Sequence, residues 1–196
     1  LEQQQTMQTT QEMLALISTK CAVGIKQNSK GNKEVWIGGK LHISAVDGDI
    51  PITAFYSGAN VHDSSVALPL INETSKRVNY FYDLQDAGYD SEIIRNFSKK
   101  LGHRAIIDIN PKNSKELKEK IELQTQEQKK FKLLHLPQNL DIHHYNQRSM
   151  VERVNKYLKE DFGCNTIYYQ GATKVASVLA FGILSICIHQ SLKLVT

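Results

Sequence analysis

Four side chains near the C-terminal end of the chain have the types and spacing of a site that handles phosphate. Tyr145, Arg148, Glu152 and Lys159 stand at offsets of 0, 3, 7 and 14 along the sequence. In a helix that turns about 100° per residue, these offsets fall within an arc of roughly 60°, on one face. Such a carboxylate can bind a metal ion, while Arg and Lys can hold phosphate oxygens. Geometry leaves a second interpretation open, an exposed face stabilised by pairs such as Arg148 with Glu152.

A second group of carboxylates is expected at the end of a strand. The segment Asp83-Leu-Gln-Asp86-Ala-Gly-Tyr-Asp90 follows a predicted strand at residues 79–82. Carboxylates at the carboxyl end of a strand lie at the edge of a sheet, where ligand sites of α/β proteins form. The alternative is a simple turn in which Asp90 or Ser91 caps the next helix.

The elements that must position these residues predict a mixed α/β sheet with helices on its faces. Asp47-Gly48 is a hairpin turn signal between two strand-like segments. Asp63 is a good candidate for the N-cap of the next helix. Strands are predicted at 35–46, 50–56, 79–82 and 104–109, helices at 1–17, 64–72, 91–101, 112–132, 145–162 and 173–193, and a polar loop at 24–34.

Composition excludes several classes of protein. The 196 residues, 41% hydrophobic and 22% charged, suit a globular domain and exclude disordered and collagen-like chains. The net charge of +4 permits a nucleic-acid partner without demanding one. The three distant cysteines predict reduced, buried thiols and no disulfide framework or zinc ribbon. The apolar stretch at 175–188 is shorter than the roughly 20 residues of a membrane span, which predicts a core helix in a cytoplasmic protein.

Taken together, the motifs resemble the DDE transposases of bacterial insertion sequences, in the branch marked by a Y-(2)-R-(3)-E-(6)-K signature. The chain has all four signature residues, preceded by D-x-G-Y from Asp86. K-L-H at 40–42, the D-G hairpin and H-D-S at 62–64 stand upstream in the family's order. The similarity covers about residues 20–193.

The resemblance implies an RNase H-like mixed sheet flanked by helices, with three acidic residues binding two Mg²⁺ or Mn²⁺ ions for DNA strand cleavage and transfer. Asp86 would be the second catalytic carboxylate and Glu152 the third, both as metal ligands. Tyr145, Arg148 and Lys159 would contact the transposon end. The implied partners are double-stranded DNA ends and target, with a homodimer allowed and no membrane, in the cytoplasm near the nucleoid.

One departure from the family pattern is serious. In the family, the first catalytic Asp stands on the strand before the K-L-H strand, yet residues 1–46 contain no aspartate. Asp47 lies in the hairpin turn, the wrong place for that role. We therefore expect the first Asp and its N-terminal strand to lie upstream of Leu1, and this chain alone to be inactive.

The expected organisation is an N-terminal remnant or linker at 1–20 and an incomplete transposase domain at 21–196. A short Lys-rich insertion is predicted at about 111–142, and its lysines could contact DNA backbone or form a solvated surface. The alternative function is a non-catalytic, truncated transposase remnant that keeps the fold and weak DNA binding. A third hypothesis is an unrelated α/β interaction domain. An in-frame upstream strand carrying an Asp would favour the catalytic interpretation over the remnant.

Overall fold

A computed structural model describes residues 8–27, 31–108, 110, 115–133 and 147–195. The strands are β1 (Ala22–Gln27), β2 (Lys33–Val46), β3 (Ile50–Gly58), β4 (Tyr82–Gln85) and β5 (Arg104–Ile107). The helices are α1 (Thr10–Ala15), α2 (Asp63–Arg77), α3 (Glu92–Lys100), α4 (Lys115–Leu133), α5 (Ser149–Glu160) and α6 (Ala172–Val195). A single 3-10 turn, Ala87–Tyr89, lies between β4 and α3. The mixed α/β class predicted from the sequence is confirmed. The described strands form two sheets, β1-β2-β3 and β4-β5, and not the single mixed sheet that was expected.

The predicted hairpin joins β2 to β3 in an antiparallel sheet of order β1-β2-β3, with β2 in the centre. Its turn places Gly48 at φ +83° and Asp49 at φ +59°, a left-handed conformation that glycine adopts freely and Asp tolerates. A register shift between Ser44 and Ala45 bends β2 near this turn. The first half of β2 pairs with β1, and the second half pairs with β3.

The predicted loop at 24–34 is wrong at both of its ends. β1 takes up residues 22–27 and β2 already begins at Lys33, so the two strands form a ribbon. Val23 and Ile25 lie on this ribbon with 52% and 65% of their surface exposed. The polar and glycine residues of 24–34 are typical of a loop, which is why the sequence did not indicate the strands. The expectation that no strand precedes the K-L-H strand in this chain is wrong, because β1 does so. Its six residues include no Asp or Glu. The position of the first catalytic Asp stays a prediction.

The strand that leads to the candidate carboxylates lies three residues later than predicted. β4 pairs in parallel with β5, from Tyr82 opposite Arg104 to Gln85 opposite Ile107, with α3 as the connection. Asp86 therefore follows the carboxyl end of β4 directly. Upstream, His62 rather than Asp63 is the N-cap of α2, and its side chain accepts a hydrogen bond from the Ser64 amide. Asp63 is the first helical residue, where its charge favours the positive end of the helix dipole.

Two buried clusters hold these layers together. One comprises Met13, Ala67, Leu68, Ile71, Ile94, Phe97 and Ile107, and the other comprises Ile43, Val154, Leu158 and Ile186. Met13, on α1, is 1% exposed, so the predicted N-terminal segment contributes to the first cluster. The division of the chain at residue 21 stays a prediction.

The second cluster fixes the position of α5 against α6. Gly182 of α6 leaves no room for a side chain, because an added Cβ would lie 2.6 Å from the Cys164 sulfur and 2.9 Å from Leu158 Cδ2. The close approach lets Leu158 bury all but 2% of its surface. α5 is therefore held on its apolar side, while its first turn projects toward β4.

The prediction of a core helix at the C-terminal end is only partly right. Leu179, Gly182 and Ile186 of α6 are buried, but the opposite side exposes Phe181, Leu184, Ile188, Leu192 and Val195. By length and composition α6 could also cross a membrane, with a mean hydropathy of 1.8 over its best 18 residues, of which 17% are buried. The three cysteines are free, as predicted, but none is fully buried. Cys21 is exposed, and Cys164 and Cys187 are half-buried.

Candidate active site

Two carboxylates from distant parts of the chain meet at one guanidinium group. Arg148 Nη1 contacts Asp86 Oδ1, and the same nitrogen lies 3.4 Å from Glu152 Oε1. Asp86 follows β4 and Glu152 lies in the first turn of α5, so 66 residues of sequence separate them. We call this arrangement of Arg148 between Asp86 and Glu152 the Arg148 bridge. Both carboxylates face solvent, with 59% and 70% of their side chains exposed.

The structure separates the three aspartates of the 83–90 segment. Asp83 is 6% exposed and its Oδ2 lies 3.3 Å from His103 Nδ1, inside the fold. Asp90 contacts Arg95 at 2.9 Å and accepts a hydrogen bond from the Asn110 amide, also at 2.9 Å. Asp86 alone among the three is largely open to solvent while it faces a cation from another element. This is the environment expected of a carboxylate that exchanges partners.

Further motif residues lie beside Asp86. The Tyr89 phenol is held in its neutral form, since burial raises its pKa and the negative charges of Asp63 and Asp86 raise it further. Asp63 in turn lies 3.0 Å from the Lys40 ammonium, which also donates to the Val61 carbonyl at 2.9 Å. The K-L-H, H-D-S and D-x-G-Y segments therefore share one region with the Arg148 bridge.

The signature helix differs from its sequence-based description. α5 begins at Ser149, with Arg148 as its N-cap residue, so the shared-face argument applies within the helix to Glu152 and Lys159. Lys159 is exposed in the last turn, about 10 Å along the axis from Glu152. Tyr145 lies outside the described residues.

An arginine within α5, which the sequence analysis missed, ties the helix to the β2–β3 hairpin. Arg153 donates from Nε and Nη2 to both carboxylate oxygens of Asp49, at 2.6 to 3.0 Å. Asp49 keeps only 14% of its side chain exposed. No local sequence signal could reveal this pair, because 104 residues separate its members. The contact orients the helix turn that carries Glu152.

The K-L-H histidine has a structural partner. His42 is 6% exposed and its Nε2 lies 2.8 Å from the hydroxyl of Ser57, which is fully buried. Burial lowers the pKa of His42, and Lys40 lowers it further against the opposing effect of Asp63. A neutral imidazole on this pair favours a role in holding β2 to β3 next to Lys40.

The donor set fits part of a site for a hard divalent cation. Carboxylate oxygens are ligands that Mg²⁺ and Mn²⁺ prefer, and the Arg148 guanidinium shows that the space between Asp86 and Glu152 attracts positive charge. Within the described part of the chain, no group of three or more His, Cys, Asp or Glu side chains could hold a metal ion. Asp86 and Glu152 are therefore two carboxylates of the right type for such a cation, brought together at Arg148.

Comparison with known proteins agrees with the motifs. The family model described as "Transposase DDE domain" matches residues 6–188. No curated protein and no solved structure matches the chain. The match covers β1 to β5 and most of α6, including the residues of the Arg148 bridge. Because the match spans nearly the whole chain, this chain belongs to the family of transposase DDE domains.

Proposed function

We propose that this chain is part of the catalytic domain of a DNA transposase that cleaves and transfers strands at insertion-sequence ends with divalent metal ions. The observation that carries the proposal is the Arg148 bridge, which brings Asp86 and Glu152 to one point from separate elements. Membership of the transposase family supplies the reaction class and excludes an unrelated interaction domain. The signature branch is proposed from the spacing of Arg148, Glu152 and Lys159.

The acidic and basic side chains have different roles in this proposal. Asp86 and Glu152 would hold Mg²⁺ or Mn²⁺, whose chemistry is to activate the attacking oxygen and stabilise the leaving oxygen. Arg148 and Lys159 would bind phosphate oxygens of the transposon end, Arg148 through its planar fork of donors. Tyr145 would contact the same end. Arg153 would hold the helix in the orientation that presents Glu152 and Lys159.

We also propose that this chain alone does not cleave DNA. β1, the strand before the K-L-H strand, carries no carboxylate, and Glu34 of β2 lies 3.4 Å from Lys26 on the exposed ribbon. The two-metal mechanism of the family uses three acidic residues, and Asp86 and Glu152 supply only the second and the third. Mg²⁺-dependent strand cleavage by the purified chain would contradict this. A truncated remnant with weak DNA binding remains the second candidate, favoured by the same lack of a carboxylate on β1.

DNA binding is common to the catalytic domain and the truncated remnant, and a short DNA duplex tests it. Fluorescence anisotropy at 50 and 200 mM salt should show weak binding that falls steeply with salt, because phosphate contacts release counterions. Arg148→Ala and Lys159→Ala should each weaken binding and lower the salt slope by about 1. Binding that does not respond to salt would contradict the proposal.

Lys76→Ala is the matched control for these variants. Lys76 is 54% exposed and lies in the last turn of α2, about 20 Å along that helix from Asp63. Its removal takes away the same charge at a distance from the Arg148 bridge. An equal loss of DNA binding in all three variants would indicate a general charge effect and no site on α5.

Three further aspects belong to the proposal. The lysines of α4 are offered as backbone contacts to DNA, supported by the exposure of Lys120, Lys129 and Lys130, although a solvated surface accounts for them equally well. A homodimer is proposed, and the exposed side of α6 with Phe181, Leu184 and Ile188 is a surface that could serve it. Residence in the cytoplasm near the nucleoid, away from membranes, follows from the proposed DNA substrate.

A further inference from the structure

We propose that Arg148 and a metal ion compete for the same position between Asp86 and Glu152. Arg148 occupies this position in the absence of metal, and metal binding displaces its side chain toward DNA phosphate. The inference rests on the proposed function, because it concerns the same two carboxylates. It adds a coupling between metal binding and DNA binding. Arg148 is thereby a residue that both sites share.

The geometry makes the two cations mutually exclusive. One nitrogen of Arg148 contacts both carboxylates, so a metal ion bound to the same two oxygens would lie within a few ångströms of the guanidinium. Two like charges about 4 Å apart repel each other appreciably even in water. A metal ion can therefore bind between Asp86 Oδ1 and Glu152 Oε1 only after Arg148 has moved.

The surroundings allow Arg148 to move. Asp86 and Glu152 are 59% and 70% exposed, and exposed ion pairs contribute little to stability. Arg148 is the N-cap residue of α5, and its side chain makes no capping hydrogen bond to the helix. Its displacement leaves the helix supported by Val154 and Leu158 in the core and by Arg153 on Asp49.

After displacement, Arg148 still places its positive charge close to Asp86 and Glu152. Phosphodiester oxygens suit its donors as well as carboxylates do. DNA binding would draw Arg148 away from the carboxylates, and metal binding would release it toward DNA. By linkage, each ligand then strengthens the other by the same factor.

The first test measures Mn²⁺ affinity by calorimetry and by electron paramagnetic resonance of free Mn²⁺. Removal of the competing cation in Arg148→Ala should tighten Mn²⁺ binding about fivefold or more. Arg148→Lys retains a charge without the planar fork and should give an intermediate affinity. Lys76→Ala, the control, should leave Mn²⁺ affinity unchanged. Equal or weaker Mn²⁺ binding by Arg148→Ala would overturn the exchange, because Arg148 would then be supporting the ligands.

The second test measures duplex affinity with and without Mn²⁺ at constant ionic strength. Mn²⁺ should strengthen duplex binding several-fold more in the native chain and in Lys76→Ala than in Arg148→Ala. An equal effect of Mn²⁺ in all three proteins would overturn the coupling.

Carboxylate variants distinguish failure of this inference from failure of the proposed function. Asp86→Asn and Glu152→Gln should each lose most Mn²⁺ binding. If neither changes Mn²⁺ binding, the metal site itself is rejected, and the exchange with it. If both carboxylate variants lose Mn²⁺ binding but Arg148→Ala does not bind Mn²⁺ more tightly than the native chain, the metal site stands and only the exchange is rejected.

Discussion

Arg148 and Arg153 lie five residues apart at the start of one helix, yet they use their charges differently. Arg153 grips a single carboxylate with two nitrogens, and that carboxylate, on Asp49, is 14% exposed. Arg148 shares one nitrogen between two carboxylates that are mostly open to solvent. The first arrangement is typical of a fixed structural contact, and the second of a contact that other ions can replace. Proximity in sequence therefore says little about whether an ion pair supports the fold or the function.

The largest expected effect tests the buried packing that holds α5 in place, which is independent of both arginine contacts. Leu158→Ala should lower the free energy of unfolding by about 2 to 5 kcal/mol, because Leu158 is 2% exposed and its loss leaves a cavity. Urea denaturation followed by circular dichroism measures the change. Leu184→Ala, on the exposed side of α6, is the control and should cost well under half as much. Equal costs would mean that α6 is covered on both sides in solution.

The next effect compares the two arginine contacts directly through double-mutant cycles. The pair Arg153→Ala and Asp49→Asn should show a coupling energy of about 1 kcal/mol. Asn suits position 49 because it tolerates the left-handed conformation there. The pair Arg148→Ala and Asp86→Asn should show about 0.3 kcal/mol in the same urea experiment. Equal coupling energies would remove the distinction between a fixed and an exchangeable contact.

A pH-dependent effect on stability is expected from His42, the buried histidine of the K-L-H segment. Its folded pKa lies below the ordinary 6.5, so the unfolded chain binds the proton more readily. The contribution to stability is therefore complete above about pH 6.5 and is lost as the pH falls below it toward the folded pKa. The urea midpoint of the native chain should fall between pH 7 and 5, and more shallowly in His42→Gln. Parallel pH profiles for the two proteins would contradict the neutral, buried imidazole.

The smallest expected effect is the most informative about Arg148. Arg148→Ala should change the free energy of unfolding by less than about 0.5 kcal/mol, because its partners Asp86 and Glu152 are exposed and its side chain does not cap α5. Urea denaturation at low and high salt measures it. A loss comparable to that of Arg153→Ala would show that Arg148 is a structural residue, and the proposed exchange would become untenable.

Local signals in the sequence predicted much of the fold. The Asp47-Gly48 turn, the helix that starts at 62–63 and the lysine-rich helix α4 are all set by neighbouring residues, and each is present. β1 was missed because its ribbon with β2 is exposed on one side, so that its polar and glycine residues are typical of a loop. The shift of β4 from 79–82 to 82–85 has a similar origin, since aromatic residues favour a strand on either side of Tyr82.

The amino-acid sequence by itself determined the family and singled out Asp86, Arg148 and Glu152, because residue type and spacing along a helix or strand are local properties. Only the tertiary structure decided that Asp86, rather than Asp83 or Asp90, faces Arg148. It alone paired Arg153 with Asp49 across 104 residues. The physical reason is that burial and ion pairing depend on which elements pack together, and packing across distant segments leaves no local pattern for the sequence to display.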